Sequence, residues 1–149
     1  MPRLLLFAPS LKTILDQRDN TFSLISLIDT VTAPLPAEGA MPANAALSLT
    51  WEITTLWQQL PEDSNKTFEQ RTELLAPNGD SLVEVQAVFQ MNYRTQRNFG
   101  LVPGLPVGQA GEHRLRLSLR EANTGGAWIT VAEFPILILH QRPQPVGQA

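Results

Sequence analysis

The stretch His113-Arg114-Leu115-Arg116-Leu117-Ser118-Leu119-Arg120 alternates without a break. Leu115, Leu117 and Leu119 fall on one side, with Arg114, Arg116, Ser118 and Arg120 on the other. Successive side chains of a β-strand point to opposite faces, so this segment reads as a strand with one dry face and one wet face. Leu47 to Trp57 repeats the pattern, with Leu47, Leu49, Trp51, Ile53 and Trp57 opposed by Ser48, Thr50, Glu52 and Thr54. Val83 to Met91 does so again, with Val83, Val85, Ala87, Phe89 and Met91 opposed by Glu84, Gln86 and Gln90.

Turn chemistry separates these runs. Pro77-Asn78-Gly79-Asp80 carries an Asn-Gly pair suited to positive φ and predicts a hairpin between Thr67–Ala76 and Leu82–Asn92. Asn123-Thr124-Gly125-Gly126 plays the same part between Glu112–Ala122 and Ala127–His140, and Gln17–Asn20 between Lys12–Asp16 and Thr21–Thr32. Ala33 to Asn44 and Gly100 to Gly111, each rich in Pro and Gly, read as loops. Thr21 to Val31 is apolar on both parities, as a strand covered on both faces would be. Pro135 interrupts the last strand, which places that strand at an edge or at a bulge. The spacing therefore predicts an all-β chain: a two-sheet antiparallel β-sandwich of about eight or nine short strands. One domain is expected over residues 1–141, with a frayed, solvated tail over 142–149.

Composition limits the partners. The 149 residues carry a net charge of −3, and only Lys12 and Lys66 among the eleven basic residues are lysine. A nucleic-acid binder needs a basic face to displace counterions from phosphates, so nucleic acid is an unexpected partner, and anionic membrane surfaces are disfavoured on the same ground. There is no cysteine, hence no disulfide framework and no thiolate metal site. The opening apolar run, Leu4 to Ala8, is shorter than the roughly 7–15 residues of a signal-peptide core, and Pro9 and Lys12 interrupt it. The later run Phe134 to Leu139 falls far short of the about 20 residues that span a bilayer. A cytoplasmic protein without a membrane span is expected.

No constellation of catalytic groups emerges. The two histidines, His113 and His140, are not spaced as metal ligands, and no Gly-x-Ser-x-Gly elbow or glycine-rich phosphate loop is present. Asp16, Asp19, Asp29 and Asp80 lie in or near predicted turns, where calcium is one reading of Asp16 and Asp19 and side-chain bonds to the turn backbone are the favoured one. Glu52, Glu69, Glu73 and Glu84 alternate onto wet faces and read as solubilising. Trp51 and Trp57 share the parity of Leu49 and Ile53 and read as core, leaving Trp128 as the freest candidate for stacking on a sugar. Tyr93, Arg94, Arg97 and Phe99 form the one local basic and aromatic stretch, read as an exposed strand face.

Several of these features, taken in order, resemble a family of uncharacterised bacterial proteins, a domain of unknown function with an immunoglobulin-like sandwich fold. They are Leu4–Phe7, Asp16-Gln-Arg-Asp-Asn-Thr-Phe-Ser-Leu-Ile-Ser-Leu-Ile28, Pro42, Pro77-Asn78-Gly79, and Gly111-Glu112-His113 leading into the alternating strand. Where that family places an aromatic, often Tyr, two residues after the glycine, this chain has His113, which can still donate one ring N–H to nearby backbone. The resemblance implies a fold and supplies no activity, because fold alone does not carry function.

The chain is thus expected to be a non-enzymatic protein-interaction or assembly module, pairing through an edge strand with a protein partner or with itself. No catalytic, cofactor-binding or metal-ligating residue is assigned. Two alternatives stand beside it: a small-ligand or carbohydrate-binding module using Trp57, Trp128 or the Gly100–Gly111 loop, and a calcium-dependent membrane-binding module. Phe134–Leu139, apolar on both parities, is the first place to look for an interface.

Overall fold

The computed structural model describes residues 1–145 and residue 147. Of the tail expected from Arg142 onward, Val146, Gln148 and Ala149 lie outside the described residues. The strands are β1 (Arg3–Asp16), β2 (Thr21–Leu27), β3 (Thr30–Pro34), β4 (Ala46–Gln58), β5 (Thr67–Leu75), β6 (Ser81–Gln90), β7 (Thr95–Pro106), β8 (Gly111–Glu121) and β9 (Ile129–Gln141). They form two sheets, one ordered β2-β1-β4-β7 and the other β3-β9-β8-β5-β6. The chain is an all-β sandwich, and among the described residues the only helical piece is a single 3₁₀ turn at Pro61–Asp63.

The three alternating runs lie in the middle of this architecture. β8 pairs with β5 and β9, and Leu115, Leu117 and Leu119 are fully buried between the sheets. Trp51 and Trp57 of β4 are each 0% exposed, on the core parity expected of them. The three tight turns also fall where expected, and Asn20, Gly79, Asn123 and Gly125 all have the positive φ that their turns require.

Four segments depart from expectation. Thr21–Thr32 is two strands in different sheets. Ser26 takes φ +58°, the Ile28 amide donates to Pro9 of the first sheet (3.0 Å), and the Asp29 carbonyl accepts from Leu137 of the second (2.8 Å). The chain changes sheet within two residues and the alternation restarts there; within β2 itself Phe22 and Leu24 are half-buried, whereas Ile25 and Leu27 on the other parity are exposed, so the strand is not covered on both faces. β3 then runs parallel to β9, from Thr30 beside Leu137 to Pro34 beside Gln141, so the sandwich is not antiparallel throughout.

Secondly, Gly100–Pro106 is strand, not loop. β7 is an edge strand with only β4 beside it, so Pro103 and Pro106 break no ladder on its far side. Gly104, at φ +76°, lies where the β4–β7 register shifts, and its carbonyl accepts from the buried Trp51 indole at 2.9 Å. Thirdly, β9 is interior along its second half, where β3 covers it. Leu137 turns its N–H away from β8 towards Asp29, and Pro135, two residues earlier, faces the same side just beyond the reach of β3. The proline therefore sits on the open half of the strand. Lastly, the Lys12–Asp16 strand is the far half of a longer one. β1 pairs with β4 from Arg3 to Ser10 and with β2 from Ser10 to Asp16.

That division of β1 bends it. Ala8, Pro9 and Ser10 are buried, and beyond them the β1–β2 hairpin turns back over the outer face of β4 and β7. Phe22 meets Phe99 edge-on with ring centroids 5.9 Å apart, although β1 and β4 lie between β2 and β7 in the sheet order. Thr13 Oγ1 lies 3.4 Å from Thr54 Oγ1, and the Arg97 guanidinium donates to the Asn20 carbonyl at 2.7 Å while lying 4.8 Å from the Phe22 ring centre. Thr54 is consequently buried although it points out of the sandwich.

Candidate functional site

Between the sheets Gln70 gathers several polar groups. Gln70 of β5 directs its Oε1 at three donors from the opposite sheet: Thr55 Oγ1 (2.8 Å), Trp57 Nε1 (2.9 Å) and Asn98 Nδ2 (3.2 Å). A cavity of about 60 Å³ lies beside it, lined in part by Thr72, Val85 and Gly100. His113 is buried, and its Nδ1 lies 3.1 Å from the Gly111 carbonyl. A carbonyl only accepts, so Nδ1 carries the hydrogen, and the buried Nε2 has no partner. His140 makes a similar bond, from Nε2 to the Val107 carbonyl at 2.6 Å.

Outside the second sheet, the glutamates do more than solubilise. Glu73 is only 8% exposed and is held by Arg116 at 3.0 Å and Arg71 at 3.6 Å. Glu69 pairs with Arg120, and Glu133 with Arg114. Trp128 lies on this outer face, neither in the core nor free. The guanidinium groups of Arg71 and Arg120 stand 4.6 and 4.3 Å from its ring centre, so part of its π surface is already engaged.

At the first turn, Asp16 Oδ1 accepts from the Arg18 amide at 2.9 Å, which is the turn-stabilising role favoured from sequence. Among the described residues, no three of His, Cys, Asp and Glu come together as a metal site. The Tyr93–Phe99 stretch divides. Tyr93 is solvent-exposed, whereas Arg97 and Phe99 clamp the hairpin. Sequence carries no signal for that clamp, because Asn20 and Arg97 are 77 positions apart.

The sandwich presents several open edges, and they differ in chemistry. β7 carries Pro103 and Pro106, β3 carries Pro34, and the open half of β9 carries Pro135. β6 carries Glu84, and its core-facing Val85 packs towards Gly100 of β7 in the other sheet. β2 has neither proline nor charge along Thr21–Leu27, and the described residues make no backbone hydrogen bond to its outer side. Natural edges are usually blunted by charge, proline, bulges or cover; β2 has no charge or proline of its own, while Ser26 at φ +58° breaks its extended run and its Thr21–Phe22 end lies against Arg97 and Phe99. Beside it the hairpin exposes Ile14 (44%), Ile25 (41%) and Leu27 (54%). An apolar groove of about 310 Å³ continues the surface where β2 passes into β3, lined by Leu11, Leu27, Val31, Leu49 and Leu105 among others.

The fold and this surface define the class: a two-sheet β-sandwich with one edge, β2, that bears neither proline nor charge. The sequence matches no family model, and a comparison with curated proteins finds no match. Among the described residues no helix is long and apolar enough to cross a membrane.

Proposed function

We propose that this chain is a non-enzymatic protein-interaction or assembly module that works through the edge of β2. The observation that carries the reading is the contrast between edges: those of β7, β3 and β9 bear proline, β6 bears Glu84, and β2 has neither proline nor charge and is flanked by exposed Ile14, Ile25 and Leu27. Such an edge offers unpaired backbone groups to an incoming strand, which gains affinity from the ladder and specificity from alternate side chains. The immunoglobulin-like assignment belongs to the same proposal, supported by the two packed sheets and by the backbone bond of His113.

The test is capture from an extract of the native cell, with the wild-type chain and the Ile25→Lys variant as parallel baits. A partner retained by wild type and lost by the variant is the expected result. Equal capture by both baits, or none by either, overturns the reading.

A further inference from the structure

Along β5 the inward parity runs Phe68, Gln70, Thr72, Leu74, so two polar side chains point between the sheets, Gln70 at 6% and Thr72 at 2% exposure. Buried polar groups are costly without hydrogen-bond partners, and nearly all of them have one. Gln70 uses only its carbonyl end, where Oε1 accepts from Thr55, Trp57 and Asn98. Among the described residues its Nε2 donates to nothing, and the Thr72 hydroxyl neither donates nor accepts. Both side chains line the cavity of about 60 Å³ beside Gln70.

Small residues make that space. Ala87 stands beside Gln70 and Val85 beside Thr72 in the β5–β6 register, while Asn98 and Gly100 form the wall on β7. Gly100 is not required by its backbone, because its φ is not in the positive range. A methyl built there would stand 3.1 Å from Val85 Cγ1, on the inward side of the strand. A glycine in the middle of a strand, serving no turn, marks a place where something approaches the backbone closely.

We propose that this cavity is a binding site for water, holding about two molecules that complete the bridge Gln70 makes between the sheets. Size and chemistry select the occupant. At roughly 30 Å³ for each molecule, a cavity of about 60 Å³ takes two waters and nothing of metabolite size. A buried water needs roughly two to four hydrogen-bond partners. The wall supplies them in the Gln70 Nε2 protons, the Thr72 hydroxyl and the Asn98 amide proton not directed at Gln70. An apolar occupant would leave all of these orphaned. An ion would find no counter-charge, since no charged side chain among the described residues lines the cavity. Water that accepts from Nε2 holds the amide plane, and so keeps Oε1 aimed at Thr55 and Trp57. The site lies apart from the edge of β2 and does not depend on it.

Cross-relaxation between water and the isotope-labelled full chain tests the site. In wild type the Gln70 side-chain amide protons should show a water signal of the sign that only slowly exchanging molecules give. Ala87→Val fills the cavity from β6 and should abolish that signal. Gly100→Ala adds a methyl from β7 and should weaken it. Both leave the Thr55 and Thr72 hydroxyls in place, so a signal relayed through an exchanging hydroxyl would survive them. In either variant an unshifted Trp57 indole N–H reports that the bond to Gln70 is intact. Deuteron relaxation dispersion supplies the count, with about two more long-lived waters in wild type than in Ala87→Val. Should one variant fail to fold, the other decides. The proposal is overturned by a wild-type Gln70 without a water signal, by a signal unchanged in a folded filled variant, or by equal water counts.

Discussion

Gln70 shows how one residue ties the two sheets. Its carbonyl oxygen accepts from Thr55, Trp57 and Asn98, so its removal orphans donors in a dry interior. A buried donor left without a partner costs about 1–3 kcal/mol, and the Trp57 indole cannot rotate to find another. Gln70→Leu is expected to lower unfolding stability by about 3 kcal/mol, with a reduced urea midpoint and an unchanged denaturant slope. A drop well below 1 kcal/mol would show that the network does not hold the sheets. At this scale the sequence was partly legible. Period-2 parity assigned Trp51, Trp57 and His113 to the interior, because parity is a property of the local strand. It misjudged Glu73 and left Trp128 open, because their surroundings come from neighbouring strands. Arg116 and Arg120 of β8 meet Arg71, Glu69 and Glu73 of β5 only after the sheet has formed.

The β1–β2 hairpin behaves as an element laid on the sandwich, attached by its bend at Ala8–Ser10 and by the clamp at Phe22, Phe99 and Arg97. Most of its outward side chains are in water, so its local stability depends on few contacts. Arg97→Ala removes both the bond to the Asn20 carbonyl and the cation over Phe22. Amide exchange in Lys12–Leu27 is expected to quicken by about tenfold, equivalent to roughly 1.4 kcal/mol of local opening, with the exchange of β5 and β8 unchanged. Uniform loss of protection across all strands would show instead that the hairpin is integral to the core. The tight turns of this and the other hairpins were readable because positive φ demands Asn or Gly at fixed offsets. The sheet change at Ile28–Asp29 was not, since a strand that crosses between layers has no turn residue to mark it. The strand character of Gly100–Pro106 was hidden for another reason: proline and glycine forbid a central strand but are tolerated at an edge.

For the whole molecule, alternation was enough to give two sheets and about eight or nine strands, but not their order or the parallel pair. Strand order is decided by pairings between distant segments, such as β3 with β9 and β1 with β4. Those pairings also govern how the chain folds. Nearly every ladder beyond the hairpins joins residues far apart in sequence, and loop closure must precede the gain from pairing. Refolding by stopped-flow dilution at 25 °C is therefore expected on the millisecond-to-second scale. A microsecond phase carrying the full amplitude would contradict it.

The parallel pair of β3 and β9 has a mechanical consequence. Traction on the C-terminal end of β9, directed along the strand, loads the pairings from Thr30–Leu137 to Pro34–Gln141 side by side. Force along a strand slides its ladder, so these bonds must yield together, whereas force across a strand peels them one after another. β3 is in turn anchored through Asp29 and Ile28 to β1 in the other layer. A pull on one end of the chain is thus passed from the second sheet into the first through two residues of backbone, and the crossing acts as a tether that resists separation of the layers.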